Sequence, residues 1–154
     1  MKRSLALILI LMTVTMACIH KQSGTVSQWE RVNVNMAALA QINNDVAKGV
    51  IGAQQAGTIS AQQAAPILNY QELVAKDHAA IENILAAGST QAGTQSTQIQ
   101  ALLNEIEKQG TTLIESGALG IKNPKSQQTF AQDLQGIINL ARVILSNYEL
   151  AEGK

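Results

Sequence analysis

Apolar side chains recur at intervals of three and four residues through four long segments, and this spacing constrains the fold more than any other feature of the chain. Residues spaced in this way share one face of an α-helix, which has about 3.6 residues per turn. No segment of useful length alternates apolar and polar residues as a half-buried strand does. The sequence therefore predicts an all-α protein. The positions on the four stripes are Val32, Met36, Leu39, Ile42, Val46, Val50 and Ala53; Ile67, Tyr70, Val74, His78, Ile81 and Leu85; Ile99, Leu102, Leu103, Ile106, Leu113 and Ile114; and Phe130, Leu134, Ile137, Ile138, Ala141, Ile144, Leu145 and Tyr148.

Three local motifs predict where helices begin. Residues 27–30 (Ser-Gln-Trp-Glu) and 60–63 (Ser-Ala-Gln-Gln) have the spacing of a capping box. In this motif the first side chain accepts a hydrogen bond from the fourth backbone N–H, and the fourth side chain accepts one in return. Asn123 followed by Pro124 is typical of an N-cap with proline in the first helical position.

Glycine and proline predict the interruptions. Gly57 and Gly117 follow the first and third stripes and are expected to end those helices. Pro66 removes a helical hydrogen bond, so we expect a short lead-in followed by a straighter helix from Pro66 to Ala87. Residues 88–98 are small and polar, and they fit either a loop or the first turns of the third helix.

Four helices with short connections favour an up-down-up-down four-helix bundle. A pair of long helical hairpins that packs against a second copy is the alternative. We divide the chain into residues 1–17, an N-terminal signal helix; residues 18–27, a polar tether; and residues 28–154, the bundle domain.

Two aromatic residues test this topology. Trp29 opens the first helix and Tyr148 nearly closes the fourth. In an up-down-up-down bundle those two positions lie at the same end, which is also the end that the tether enters. We therefore expect Trp29 and Tyr148 to lie together there.

The N-terminus has the features of an export signal. Lys2 and Arg3 precede an unbroken apolar run over residues 5–12, and a small residue, Ala17, lies at its exit. This is the pattern of a secretory signal peptide. The run is shorter than the roughly 20 apolar residues of a transmembrane helix.

The segment Thr15-Met16-Ala17-Cys18 resembles the lipobox of bacterial lipoprotein precursors. The resemblance covers only the signal region. It implies cleavage before Cys18, attachment of diacylglycerol to the Cys18 sulfur and acylation of the new amino group. Several acyl chains anchor a protein firmly. Ile19 stands where an aspartate retains many such proteins at the inner membrane, so the resemblance implies an outer-membrane destination. Thr15 and Met16 depart from the usual lipobox residues, and the alternative is that general signal peptidase cuts after Ala17 and leaves Cys18 unmodified.

Charge excludes some partners. Removal of residues 1–17 leaves 137 residues with 9 basic and 11 acidic side chains, a net charge of −2, and no cluster of lysine or arginine. Such a chain lacks the electrostatic footprint of a nucleic-acid-binding protein, and it lacks the basic cluster that attracts anionic lipid. Cys18 is the only cysteine, so no internal disulfide is possible.

The sequence offers few groups for chemistry, and we predict neither a catalytic residue nor a cofactor. The chain has two histidines and no Gly-x-Ser-x-Gly elbow. Asp77, His78 and Glu82 are the nearest approach to a metal site, because His78 and Glu82 share a helix face and Asp77 is adjacent in sequence. Di-iron bundles use Glu-x-x-His motifs, and neither histidine is part of one.

Two functions remain open at this point. The first is a non-enzymatic lipoprotein of the cell envelope that acts as a helical scaffold or interaction module, held to the membrane by its lipid, with an unknown protein partner or a second copy of itself. The second is a periplasmic bundle that binds a small molecule or a metal. In that case Gly49, Gly52 and Gly110 would leave a slot between the helices.

Overall fold

The part of the chain that the structure describes contains four α-helices. The computed structural model describes residues 26–87, 92–115, 117 and 119–153. Within these ranges the helices are α1 (Gln28–Gln55), α2 (Ala61–Ala86), α3 (Ala92–Glu115) and α4 (Pro124–Ala151), and there is no β-strand. The predicted signal peptide, Cys18 and nearly all of the predicted tether lie outside the described residues. The all-α prediction is confirmed for the part that is described.

The helices pack into one bundle around a shared apolar core. α1 contacts α2 and α4, and α3 contacts the same two helices. The stripes predicted from the sequence supply this core. The core residues that are almost fully buried include Val32, Leu39 and Val50 of α1, Ile67, Val74 and Ile81 of α2, Ile99, Leu103 and Ile106 of α3, and Leu134, Ile137, Ile138 and Ile144 of α4.

The predicted helix starts are present. Ser60 and Gln63 form a complete capping box, with distances of 2.8 and 3.3 Å. Asn123 Oδ1 accepts hydrogen bonds at 3.0 and 3.2 Å from the two backbone N–H groups that follow the proline. Ser27 Oγ accepts from the Glu30 N–H at 3.1 Å, and this is the half of the predicted 27–30 capping box that the structure contains.

Pro66 does not interrupt α2, and the prediction of a separate lead-in is wrong. The helix is continuous from Ala61 to Ala86 with Pro66 inside it. The proline falls in the second turn, and the carbonyl that loses its helical partner belongs to Gln62, an exposed residue of the first turn. Ala64 and Ile67 are buried on either side of Pro66, and their packing holds the helix together.

The sequence predicted either a loop or the first turns of a helix for residues 88–98, and the structure decides between them for part of this segment. Residues 92–98 belong to α3, and residues 88–91 lie outside the described ranges. α3 ends at Glu115 before Gly117, which has a positive φ of 62°. α1 likewise ends before Gly57, whose φ is 70°. A positive φ suits glycine, because other residues have a Cβ that clashes there.

The connection between α3 and α4 folds against the end of the bundle. Leu119 and Ile121 are 2% and 4% exposed. Gln63, at the start of α2, donates from Nε2 to the Gly120 carbonyl at 2.6 Å. This connection and the turn between α1 and α2 therefore close the same end of the bundle.

Trp29 and Tyr148 lie together, as the sequence predicts. Their ring centroids are 5.6 Å apart and the ring planes meet at 82°, an edge-to-face contact. The start of α1 therefore lies beside the end of α4. None of the four described helices combines the length and apolar character that a membrane span requires.

Candidate functional site: a polar seam between α1 and α2

Three polar side chains interrupt the apolar packing between α1 and α2. They are Asn43 of α1 and Gln71 and His78 of α2, and we call them the α1–α2 seam. Asn43 Nδ2 donates to the Gln71 carbonyl at 3.0 Å, and His78 Nε2 donates to the Met36 carbonyl at 2.9 Å. The two bonds are seven residues apart on both helices, about 10 Å at the rise of an α-helix. They tie the side chains of each helix to the main chain of the other.

The bond to Met36 fixes the protonation of one nitrogen of His78. A carbonyl oxygen only accepts, so Nε2 carries a hydrogen. Nδ1 faces Glu82 Oε2 at 3.7 Å, beyond hydrogen-bond distance. The His78 side chain is 12% exposed, whereas that of Glu82 is 60% exposed. His78 is therefore a packed ring held by the backbone of a neighbouring helix, with a carboxylate near its outer edge.

Asn43 and Gln71 carry polar atoms that lack partners within the described protein. Asn43 is 5% exposed and its Oδ1 has no hydrogen bond, and the same is true of both amide atoms of Gln71, which is 4% exposed. An unsatisfied buried polar group costs roughly 1–3 kcal/mol. These two residues therefore have unused hydrogen-bonding capacity.

A small cavity lies beside Asn43. It measures about 100 Å³ and is lined by Ala40, Asn43, Asn44, Val74, Ala75 and His78. At roughly 30 Å³ per water molecule, this volume suits about three waters.

Asp77 lies on the side of α2 that faces α3. It lies seven residues after Tyr70, hence on the same helix face, and Tyr70 donates to the Ile106 carbonyl of α3 at 3.0 Å. Asp77 is 7% exposed and its Oδ2 is without a partner. Burial raises the pKa of this carboxyl, the negative charge of Glu105 on α3 raises it further, and Lys76 partly offsets the two effects.

The three metal candidates therefore do not converge. His78 and Glu82 share a face, as predicted, but Asp77 is directed towards α3. In the part of the chain that the structure describes, no group of three or more His, Cys, Asp or Glu side chains is placed to hold a metal ion. Adjacency in sequence was misleading because neighbouring residues on a helix point about 100° apart.

The slot expected between the helices is not formed by the glycines. A Cβ on Gly110 would lie 2.6 Å from Tyr70 Oη and 2.8 Å from Ile138 Cγ1, so side chains already fill this position. Gly49 and Gly52 are exposed, and a Cβ on either would meet no described atom within 4 Å. Gly49 and Gly52 therefore leave no slot between the described helices.

Two larger depressions lie on the surface of the bundle. One, of about 810 Å³, is formed by residues 57–63 and the α3–α4 connection, and Lys122 is the charged residue in its lining. The other, of about 330 Å³, lies between α2 and α3 and includes Pro66, Tyr70 and Leu113. Both are lined largely by uncharged side chains and backbone.

The sequence contains a signal for the buried position of Asn43, which was not among the predicted site residues. Asn43 follows Leu39 by four residues and precedes Val46 by three, so it lies on the buried stripe of α1. The periodic pattern marks the position as buried, whereas its polar side chain suggests exposure. A polar residue in register with an apolar stripe is therefore a useful marker of an interhelical hydrogen bond.

No protein-family model, curated protein or solved structure gives a significant match to this chain.

Proposed function

We propose that this protein is a non-enzymatic lipoprotein of the bacterial cell envelope, whose helical bundle serves as a scaffold or interaction module. The observation that carries the proposal is the lipobox-like segment ending at Cys18, which stands ten residues before the first residue of a packed four-helix domain. A lipid on Cys18 would tether this domain closely to a membrane. Because Ile19 follows the cysteine, we place the mature protein at the outer membrane, facing the periplasm or the cell surface.

We also propose that the bundle has up-down-up-down topology. Between α1 and α2, and between α3 and α4, contacting residue numbers rise on one helix as they fall on the other, which is the pattern of antiparallel helices. The contact between Trp29 and Tyr148 supports the same arrangement for α1 and α4. The contacting pairs are Asn43 with Gln71, Met36 with His78, Gln100 with Glu149, and Glu107 with Arg142.

The interior supports a scaffold role. Apolar side chains from all four helices fill the core, and Tyr70 and Ile138 occupy the space at Gly110. On the outside, Arg142 of α4 and Glu107 of α3 form a 2.7 Å ion pair across two helices. A rigid rod of this kind presents fixed surfaces to a protein partner or to a second copy of the chain.

Mass spectrometry of the protein extracted from membranes tests the proposal. We expect a mature chain that lacks residues 1–17 and carries diacylglycerol and an acyl group on Cys18. In cells supplied with labelled fatty acid, wild type should incorporate the label and Cys18→Ala should not. An unprocessed chain that retains Met1, or a water-soluble chain without acyl groups, would contradict the proposal.

The alternative, a periplasmic bundle that binds a small molecule or a metal, is supported by the cavity beside Asn43. Its volume of about 100 Å³ restricts the ligand to a few polar atoms. Metal analysis and the absorption spectrum of the purified protein distinguish the two proposals. A bound metal or a chromophore that co-purifies in stoichiometric amount would favour the alternative.

A further inference from the structure

Apolar side chains are exposed at one end of the bundle, where α1 begins and α4 ends. Trp29 and Val26 are each 41% exposed, and Leu150 is 56% exposed. Deeper in the same two helices, Val32 and Ile144 are completely buried. We call the end marked by Val26, Trp29 and Leu150 the anchor end.

Trp29 is held in a defined orientation at the anchor end. Its ring packs edge-to-face on Tyr148, which is 2% exposed and hydrogen-bonded to Ser96 of α3. The Ser27 cap fixes the first turn of α1 that carries the indole. Three helices therefore contribute to the support of a half-exposed tryptophan, so its exposure is built into the fold.

A tryptophan in this setting suits the boundary between lipid and water. The indole ring is apolar over most of its surface and carries one N–H donor, and such rings are enriched at membrane interfaces. The charged residues described in the adjoining turns are Glu30, Arg31, Glu149 and Glu152. Because acidic groups predominate among these described residues, contact with lipid would rely on apolar insertion of Trp29 and not on attraction to anionic headgroups.

The length of the preceding chain places lipid within reach. Cys18 is ten residues before Gln28, and ten residues span at most about 33–36 Å when fully extended. The tether enters α1 at the anchor end itself. An acylated Cys18 would therefore hold Trp29 close to the bilayer surface at high effective concentration.

We infer that the anchor end rests against the bilayer, with Trp29 in the lipid–water interface and Val26 and Leu150 beside it. This inference rests on the proposed lipid anchor, and it adds an orientation: the bundle stands on the membrane with the α1–α2 turn and the α3–α4 connection farthest away. The surface that meets a protein partner would then lie on the sides or at the distal end.

The fluorescence of the chain tests this orientation directly, because Trp29 is its only tryptophan. The full protein, extracted from membranes, is reconstituted into phosphatidylcholine vesicles with ordinary or brominated acyl chains. We expect emission at shorter wavelength than in the detergent-free chain with Cys18→Ala, and loss of intensity with the brominated lipid. Equal emission intensity in the two kinds of vesicle would overturn the inference.

A matched pair of variants separates the anchor end from general surface hydrophobicity. Leu150→Ser should reduce the quenching of Trp29 by brominated lipid. Ile51→Ser, which changes a side chain that is 44% exposed near the opposite end of α1, should leave the quenching unchanged. Equal effects of both variants would contradict the inference. Burial of Trp29 by a second copy of the chain would also contradict it. In that case the emission of Trp29 would shift to longer wavelength on dilution, and brominated lipid would not quench it.

The mass of the same sample shows which proposal fails. An acylated chain whose Trp29 is not quenched refutes the orientation and leaves the lipoprotein proposal standing. A chain without acyl groups refutes the lipoprotein proposal, and any quenching of Trp29 that persists would then arise from the anchor end alone.

Discussion

His78 Nε2 donates a hydrogen bond to the Met36 carbonyl at 2.9 Å, so that a side chain of α2 is bonded to the main chain of α1. Together with the bond from Asn43 to Gln71, it fixes the axial position of the two helices. Apolar stripes alone leave this position weakly determined, since Leu, Ile and Val pack similarly in neighbouring registers. The α1–α2 seam therefore contributes to the precise alignment of the bundle.

The variant His78→Phe tests the contribution of this bond. It retains a ring of similar size in the same packing position and removes the donor to Met36. We expect a loss of about 0.5–1.5 kcal/mol in the free energy of unfolding, which is the usual contribution of one hydrogen bond. Urea denaturation followed by circular dichroism measures the loss.

Glu82→Gln is the matched control for His78→Phe. Glu82 is 60% exposed and lies 3.7 Å from His78 Nδ1, so we expect its replacement to change stability by no more than about 0.5 kcal/mol. A larger effect for Glu82→Gln than for His78→Phe would show that the contact with Glu82, and not the bond to Met36, is the important one.

Gly110→Ala should destabilise the bundle. The new Cβ would lie 2.6 Å from Tyr70 Oη and 2.8 Å from Ile138 Cγ1, so α2, α3 and α4 would have to move apart locally. Overpacking of this kind typically costs about 1–3 kcal/mol. Thermal and urea unfolding would report the change as a lower melting temperature and a lower denaturation midpoint.

Gly136→Ala is the matched control, and here we expect an increase in stability. Gly136 lies inside α4, and a Cβ there would meet no described atom within 4 Å. Alanine should stabilise the helix by roughly 0.5–1 kcal/mol, because glycine loses more backbone entropy on folding. If both substitutions stabilise the protein, the close contact at Gly110 is wrong.

Tyr70→Phe tests whether the Tyr70 hydroxyl is the main obstacle at Gly110. Burial raises the pKa of Tyr70 well above its usual value, so the hydroxyl stays protonated and donates to the Ile106 carbonyl. Tyr70→Phe alone should lose about 1 kcal/mol with that bond. Combined with Gly110→Ala, it removes the nearest clashing atom, so the double variant should be more stable than the sum of the two losses predicts.

The sequence predicted the parts of the fold that depend on local pattern. The stripe from Val32 to Val50, the capping box at Ser60 and the Asn123–Pro124 start follow from helix periodicity and from interactions within four residues. The contact between Trp29 and Tyr148 was predicted from the number of helices and their expected alternating directions, without any knowledge of side-chain packing.

The errors concern relations between helices. Gly110 takes its role from the register of α2 and α4 against α3, and nothing near it in sequence specifies that register. Asp77 was grouped with His78 through adjacency, although the two residues face different helices. Pro66 was expected to separate a short lead-in from the rest of α2 because its lost hydrogen bond is a local property, whereas α2 is continuous and Ala64 and Ile67 on either side of the proline are buried in the core.

Asp77 gives the bundle a pH dependence whose sign follows from its surroundings. Its folded-state pKa is raised above the ordinary value of 3.8 by burial and by Glu105. The folded state therefore binds the proton more tightly than the unfolded state does. As pH rises above 3.8, the unfolded chain releases this proton first, and the carboxyl increasingly disfavours folding until its folded-state pKa is passed. From neutral pH downwards, protonation of Asp77 thus adds stability.

Asp77→Asn should remove this effect. The amide is close in size to the carboxyl and stays uncharged, so the variant should be more stable than wild type at neutral pH. The difference between the two should shrink as the pH falls, and it should be smallest below 3.8, where Asp77 is largely protonated in both states. Urea denaturation of both proteins at a series of pH values measures this convergence. Glu72→Gln, an exposed carboxyl on the same helix, should change stability by no more than about 0.5 kcal/mol at any of these pH values. If Asp77→Asn destabilises the protein at neutral pH, the buried carboxylate must have a further, stabilising partner.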